Sequence, residues 1–346
     1  ATLQTGDDGT ITVEGENVTL ATAATGTIDP NNAGTDGTLN VNADLNGDSG
    51  GKATINADAN LNVGSLNVNN GATAITVQPA GADLDSDILN AIDGDIDIRT
   101  TGGITIAGGQ LGGANTDDIT LSAGVAATID IDADVVATND DLIVLQAGSV
   151  DIGQDIDLSA GDNINLSAAT AINLDGAALG TNTFTAAGPD DGSVTLPALD
   201  ATNAAHNLTI VADEDVTLTD NVGDGVGTDP GTLTIDFDQD NVGSNMNAQG
   251  SINAGDIIIR GTAADDDEIN LDGNVTSLAS VEMTNADDVL VAAGVTVTAA
   301  GGDITITTNI GYIDLEPGGG VVTFTTTGGT GDIALDSIID HGDDTD

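Results

Sequence analysis

Ser149-Val150-Asp151-Ile152-Gly153-Gln154-Asp155-Ile156-Asp157-Leu158-Ser159-Ala160-Gly161-Asp162-Asn163-Ile164-Asn165-Leu166-Ser167-Ala168 sets the pattern for the whole chain. Val150 and Ile152 flank Asp151, Ile156 and Leu158 flank Asp157, and Ile164 and Leu166 flank Asn165. An apolar, a small polar and an apolar residue in alternation mark a strand with one face buried. Gly153 and Gly161, with the Asp and Asn residues beside them, break the runs into short strands joined by turns.

The same unit extends outward in both directions. It recurs at Ile11-Thr12-Val13, Leu66-Asn67-Val68, Ile104-Thr105-Ile106 and Ile129-Asp130-Ile131 on one side, and at Val194-Thr195-Leu196, Leu233-Thr234-Ile235, Ile269-Asn270-Leu271 and Ile304-Thr305-Ile306 on the other. No window sustains the i, i+3, i+4, i+7 pattern of a helix, and Gly, Asn, Asp and Thr interrupt every few residues. Successive units start close together, as at Ile156, Ile164 and Ile172. Short strands at that spacing suit a sandwich, a barrel or a solenoid.

Composition separates the three. Aromatics make up 1% of the 346 residues, whereas hydrophobic residues make up 39%. A sandwich or barrel must fill about 10 Å between sheets with large side chains. A parallel β-solenoid has a narrow interior that columns of Ile, Leu, Val and Ala can fill, and its segments resemble one another. The expectation is therefore an all-β parallel β-solenoid (β-helix) with essentially no helix. It would form one continuous domain over 1–346 with protruding loops and roughly 20–27 residues per coil. Loops are expected at Asp29–Asn32, Pro79–Asp87, Gly180–Asp191, Asp220–Gly231 and Asn241–Gly250, where the alternation lapses.

The stretch 149–168, with Gly301-Gly302-Asp303-Ile304-Thr305-Ile306 and Gly329-Thr330-Gly331-Asp332-Ile333-Ala334-Leu335, resembles the repeats of filamentous-haemagglutinin-type exoproteins of two-partner secretion. The resemblance implies export, a parallel β-helix and a surface or matrix role.

Charge excludes other classes. Against 57 acidic residues stand Lys52, Arg99 and Arg260, for a net charge of −54. Such a chain does not neutralise nucleic-acid phosphates or anionic lipid by its own charge. No apolar run is long enough to cross a bilayer, so neither nucleic acid nor membrane insertion is expected. With no Cys there are no disulfides, thiolate metal sites or cysteine nucleophiles. A first residue of Ala suits an exported chain whose signal peptide has been removed, which places the protein outside the cell or on its surface.

Only six of the acids are Glu, and 51 are Asp. A short carboxylate closes Asx-turns and presents oxygen from a rigid backbone, so structural Ca²⁺ is the cofactor expected. The candidate ligands are Asp44, Asn46 and Asp48, then Asp93 and Asp95, Asp265, Asp266 and Asp267, and Asp287 and Asp288. Asp44, Asn46 and Asp48 have the odd-position spacing of an EF-hand loop, but Ser49 and Ile55 stand where Gly and Glu are wanted. The competing reading is a solvated acidic surface adapted to salt.

An enzyme is not expected. β-Helical lyases recruit Arg or Lys near an acidic substrate, and the three basic residues here are far apart. Thr-x-Thr pairs, among them Thr296/Thr298 and Thr323/Thr325, would form an ice-binding face only with one pair per coil in register; their uneven spacing favours ordinary strand residues. His206 and His341 are read as exposed polar residues.

A solenoid end exposes unpaired strands over an apolar core, and capping elements usually blunt it. Neither end of this sequence reads as an amphipathic helix. The function expected is a structural subunit whose protomers stack head to tail into an extracellular homopolymer, with divalent cations as further partners. The alternative is a surface adhesin that binds glycan or cells.

Overall fold

In the computed structural model the strands pair in parallel, each with its counterpart one coil away, and no helix occurs among the described residues. The structure describes strand backbones before residue 116, and then 116–340 except 138–142, 167–169, 176–179, 189–191, 203–205, 225–228, 240–242, 263–266, 310, 316–319 and 329–330. The protein is a β-solenoid. The chain divides into two compact units, Ala1–Ile172 with Gly188–Asp190, and Asn173–Ala187 with Asp191–Asp346.

In the first unit, Gly94–Arg99, Thr116–Ser122, Ile143–Gln146 and Ile164–Asn165 stack along one sheet. Its apolar residues fall into columns: Ile96 pairs with Ile119, Ile119 with Ile143, and Ile143 with Ile164. A second column of Ile104, Ile129 and Val150 runs down another sheet. From Ile104 on, these residues are buried.

Among the described residues, most strands of the second unit lie in three such sheets. The first stacks Gly180–Ala186, His206–Ala212, Thr232–Asp236, Asp256–Arg260, Val281–Ala286, Ile304–Thr308 and Ile333–Leu335. The second includes Asn245–Ala248, Glu268–Leu271, Asp288–Val291, Ile313–Leu315 and Ile338–Asp340. The third stacks Ile252–Ala254, Val275–Ser277, Thr296–Ala299 and Thr323–Thr326. The column Phe184, Ile210, Ile235, Ile259, Met283, Ile306 is sealed from solvent throughout. Each buried Ile or Leu contributes about 1.5–3 kcal/mol, so narrow columns of aliphatics replace the aromatic core of an ordinary domain.

Two loop expectations are corrected. Gly180–Ala186 and Asn245–Ala248 are strands. The first turns Gly180 and Asn182 inward alongside Phe184 and Ala186, so its buried face lacks the expected apolar signal. His206 is also corrected: it is 1% exposed and points inward. Gly180 pairs with it on one side, and the Gly231 amide donates to its carbonyl. These neighbours lack side chains and leave the imidazole room, and Nδ1 lies 3.3 Å from the Leu174 carbonyl oxygen.

Candidate functional site

The acidic and amide side chains at strand starts have a recurring task. Asp134 Oδ1 accepts from the backbone N–H of Asp157 at 3.0 Å, one coil on. In the second unit Asp215 accepts likewise from Asn245 at 2.7 Å, Asp256 from Ser280 at 3.0 Å, and Asp303 from Asp332 at 2.8 Å. Asn207, Asn221 and Asn274 accept from Thr232, Ser251 and Thr296. These side chains clamp one coil to the next where the chain turns into a strand and the ladder has not yet begun. A Glu carries an extra methylene and must order one more torsion to reach the same amide. Part of the preference for Asp over Glu follows from this geometry.

The most buried acidic group lies at a corner of the second unit. Asp238 is sealed from solvent and has a positive φ of 56°. Asp267 is 1% exposed and Ser244 is also buried. Asp238 Oδ1 accepts from the Gly243 amide at 3.0 Å, and its Oδ2 accepts from the Thr262 hydroxyl. Asp267 accepts from the Thr262 amide at 2.9 Å on Oδ2 and from the Ser244 amide at 3.3 Å on Oδ1. A Cβ on Gly261 would lie 2.5 Å from Asp267 Oδ2, so glycine is needed there. Burial raises the Asp267 carboxyl to about 6; the Thr262 amide opposes the rise and the Asp238 carboxylate adds to it. Burial also pushes Asp134 up, against the lowering effect of the Asp157 amide and with help from the Asp157 carboxylate.

The sequence candidates are distributed as follows. Asp44, Asn46, Asp48, Asp93, Asp265 and Asp266 lie outside the described residues. Asp95 lies in the strand Gly94–Arg99. Asp267, Asp287 and Asp288 come together in successive coils, where the amides of Asp287 and Asp288 donate to the Asp267 carbonyl at 2.8 and 3.1 Å. Asp288 is a clamp, its Oδ1 accepting from the Tyr312 amide at 2.7 Å. Asp287 Oδ1 lies 3.4 Å from the Asn309 side-chain nitrogen.

Sequence reasoning missed a further acidic group. Asp200, Asp224 and Asp229 each bring one carboxylate oxygen within 4.8 Å of the others. They come from successive coils, which the bridge between Leu199 and Val222 holds together. Gly223 makes this possible: its φ is +69°, and a Cβ there would lie 2.6 Å from Asp229 Oδ1. Ca²⁺ takes six to eight oxygens, so three carboxylates would need carbonyls or water to complete a shell. The only sequence signal was the break in alternation at Asp220–Gly231.

Arg260 spans coils, with its guanidinium 3.7 Å from Asp236 and 3.5 Å from Glu282. One of the three basic side chains is thus committed to acids of this chain.

Among the described residues Thr323–Thr326, Ile333–Leu335 and Ile338–Asp340 pair on one edge only. Ile304 and Ile313 are buried, but their partners in this coil, Ile333 and Ile338, are 44% and 49% exposed. No family model, curated protein or solved structure matches the chain.

Proposed function

We propose that the protein is a structural, non-enzymatic solenoid subunit of an exported fibre at the cell surface or in the matrix. Coils of one molecule continue into the next by head-to-tail strand pairing. The coil-on-coil register supports this reading, because a solenoid of parallel strands in register can be continued by another coil of the same polarity. Among the described residues, Thr323–Thr326, Ile333–Leu335 and Ile338–Asp340 pair on one edge only, and Ile333 and Ile338 are exposed. A coil of the same polarity covers both at once. A contact of this kind between unlike surfaces does not close, so it propagates into a filament.

Polar side chains that bond one coil to the next support a structural role. Divalent cations enter the proposal through charge: subunits of −54 meet at every junction, and cations lower that repulsion. The test is electron microscopy of the purified chain, with Ile338→Asp as the variant. Long fibres that shorten with the variant support the proposal. Discrete particles that bind cells or glycan would assign the protein to the adhesins instead.

A further inference from the structure

Four Asn-x-Ser/Thr triplets occur in the chain, beginning at Asn17, Asn165, Asn207 and Asn274. In an exported protein such a triplet is an acceptor for N-linked sugar, provided that the folded surface leaves the asparagine room. The side chain of Asn17 lies outside the described residues. Asn165 is half-buried within the strand Ile164–Asn165. Asn207 is half-buried too, and both arms of its amide are engaged. Its Oδ1 accepts from the Thr232 amide at 2.9 Å, and its Nδ2 donates to the Thr181 hydroxyl at 3.4 Å.

Asn274 differs. It is exposed, at the turn that leads into the strand Val275–Ser277. Its Oδ1 accepts from the Thr296 amide at 2.8 Å, which orients the side chain and leaves Nδ2 on the opposite arm. The clamp itself needs an oxygen alone, since Asp134, Asp215, Asp256, Asp288 and Asp303 make the same bond without an amide nitrogen. A substituent on Nδ2 therefore leaves the bond between coils intact.

We propose that Asn274 is an N-glycosylation site. The sugar donor is a diphosphate-activated sugar. Nδ2 forms a bond to the anomeric carbon, the bond from that carbon to the phosphate oxygen breaks, the diphosphate leaves with the electron pair, and Nδ2 gives up one proton. The order of events follows from the ladder. Thr276 is paired with Asn253 on one side and Thr298 on the other, and in an extended strand residues two apart are held about 6.6 Å from each other. A transferase that brings the Thr276 hydroxyl to the Asn274 amide must act before this coil closes. What the folded structure decides is tolerance: the modified side chain projects into solvent with its clamp in place. Leu278, 60% exposed, lies four residues on, about 13 Å along the strand. A short oligosaccharide spans that distance and lays its C–H face against the leucine.

The proposal rests on the exported part of the reading above and is independent of the filament. Its test is mass spectrometry of the chain collected from the surface of the cells that make it. Cleavage before aspartate releases Asp272–Ala286 and Asp200–Ala212. The expected result is a sugar on Asn274 and none on Asn207. Asn274→Gln and Thr276→Ala each abolish it, whereas Thr276→Ser retains it. Peptide masses report these outcomes whatever the stability of the variant. Surface chains in which Asp272–Ala286 is bare, equal occupancy of Asn207 and Asn274, or a sugar that survives Thr276→Ala would overturn the proposal. So would a sugar that fragmentation places on the hydroxyl of Thr276 or Thr284. A chain confined to the cell interior would overturn the export reading, and the proposal with it.

Discussion

The backbone N–H of Tyr312 donates to Oδ1 of Asp288 at 2.7 Å, across the gap between one coil and the next. The bond belongs to the set made by Asp134, Asp215, Asp256 and Asp303. An excess of aspartate on a solenoid is in part a device for satisfying amides where strands begin.

Asp288→Ala should therefore cost about 1–2 kcal/mol, the net value of a bond to a charged acceptor plus an amide left wanting. Asp288→Asn should cost under about 0.5 kcal/mol, because its carbonyl oxygen still accepts. Urea melts of the two variants decide the matter. Equal destabilisation would mean that the charge of Asp288 matters and the clamp does not.

Ile164 is fully buried, in the column beneath Ile143. Ile164→Asp should cost well over ~3 kcal/mol, since it places a carboxylate in a column without partners. Thermal denaturation that leaves the melting temperature unchanged would contradict the inward placement of Ile164.

The pH dependence of Asp267 has a definite sign. Its folded value, about 6, lies above the ordinary 3.8. The folded state therefore holds the proton more tightly, and this stabilisation is complete below about pH 4 and lost as pH rises through 6. Asp267→Asn lacks the dependence and should gain on the wild type by up to about 3 kcal/mol between pH 4 and pH 7. Denaturant melts of both proteins at the two pH values measure it; a constant difference would refute the assignment.

The alternation around Ile156, Ile164 and Ile304 made the strands legible, because residues two apart must share a face whatever their neighbours, and the scarcity of aromatics then singled out the solenoid. Gly180–Ala186 was illegible for the converse reason: Gly180 and Asn182 point inward without being apolar. His206 is buried because Gly180 and Gly231, from other coils, leave it space, and nothing adjacent in sequence announces that. The acids were conspicuous, but their work was hidden. Whether an Asp clamps an amide or faces other carboxylates depends on coil-to-coil register, and Asp200, Asp224 and Asp229 meet only through the pairing of Leu199 with Val222.

That trio gives a prediction for cations. Carboxylate oxygens within 4.8 Å repel by roughly 0.9 kcal/mol per pair in water. Asp224→Asn should raise the melting temperature in low salt with chelator, and it should remove any added stabilisation by millimolar Ca²⁺ over Na⁺ of equal ionic strength. Calorimetry compares the two ions; an identical response to both in the wild type would leave screening as the whole effect.

The central claim, that coils continue from molecule to molecule, is tested most directly by cryo-electron microscopy of the purified protein in molar salt. The account predicts filaments in which the ~4.8 Å strand repeat runs along the axis without interruption at the junctions, and which Ile333→Asp with Ile338→Asp shortens severely. Particles of one molecule's length at every concentration, or filaments whose length that pair of substitutions does not change, would contradict it.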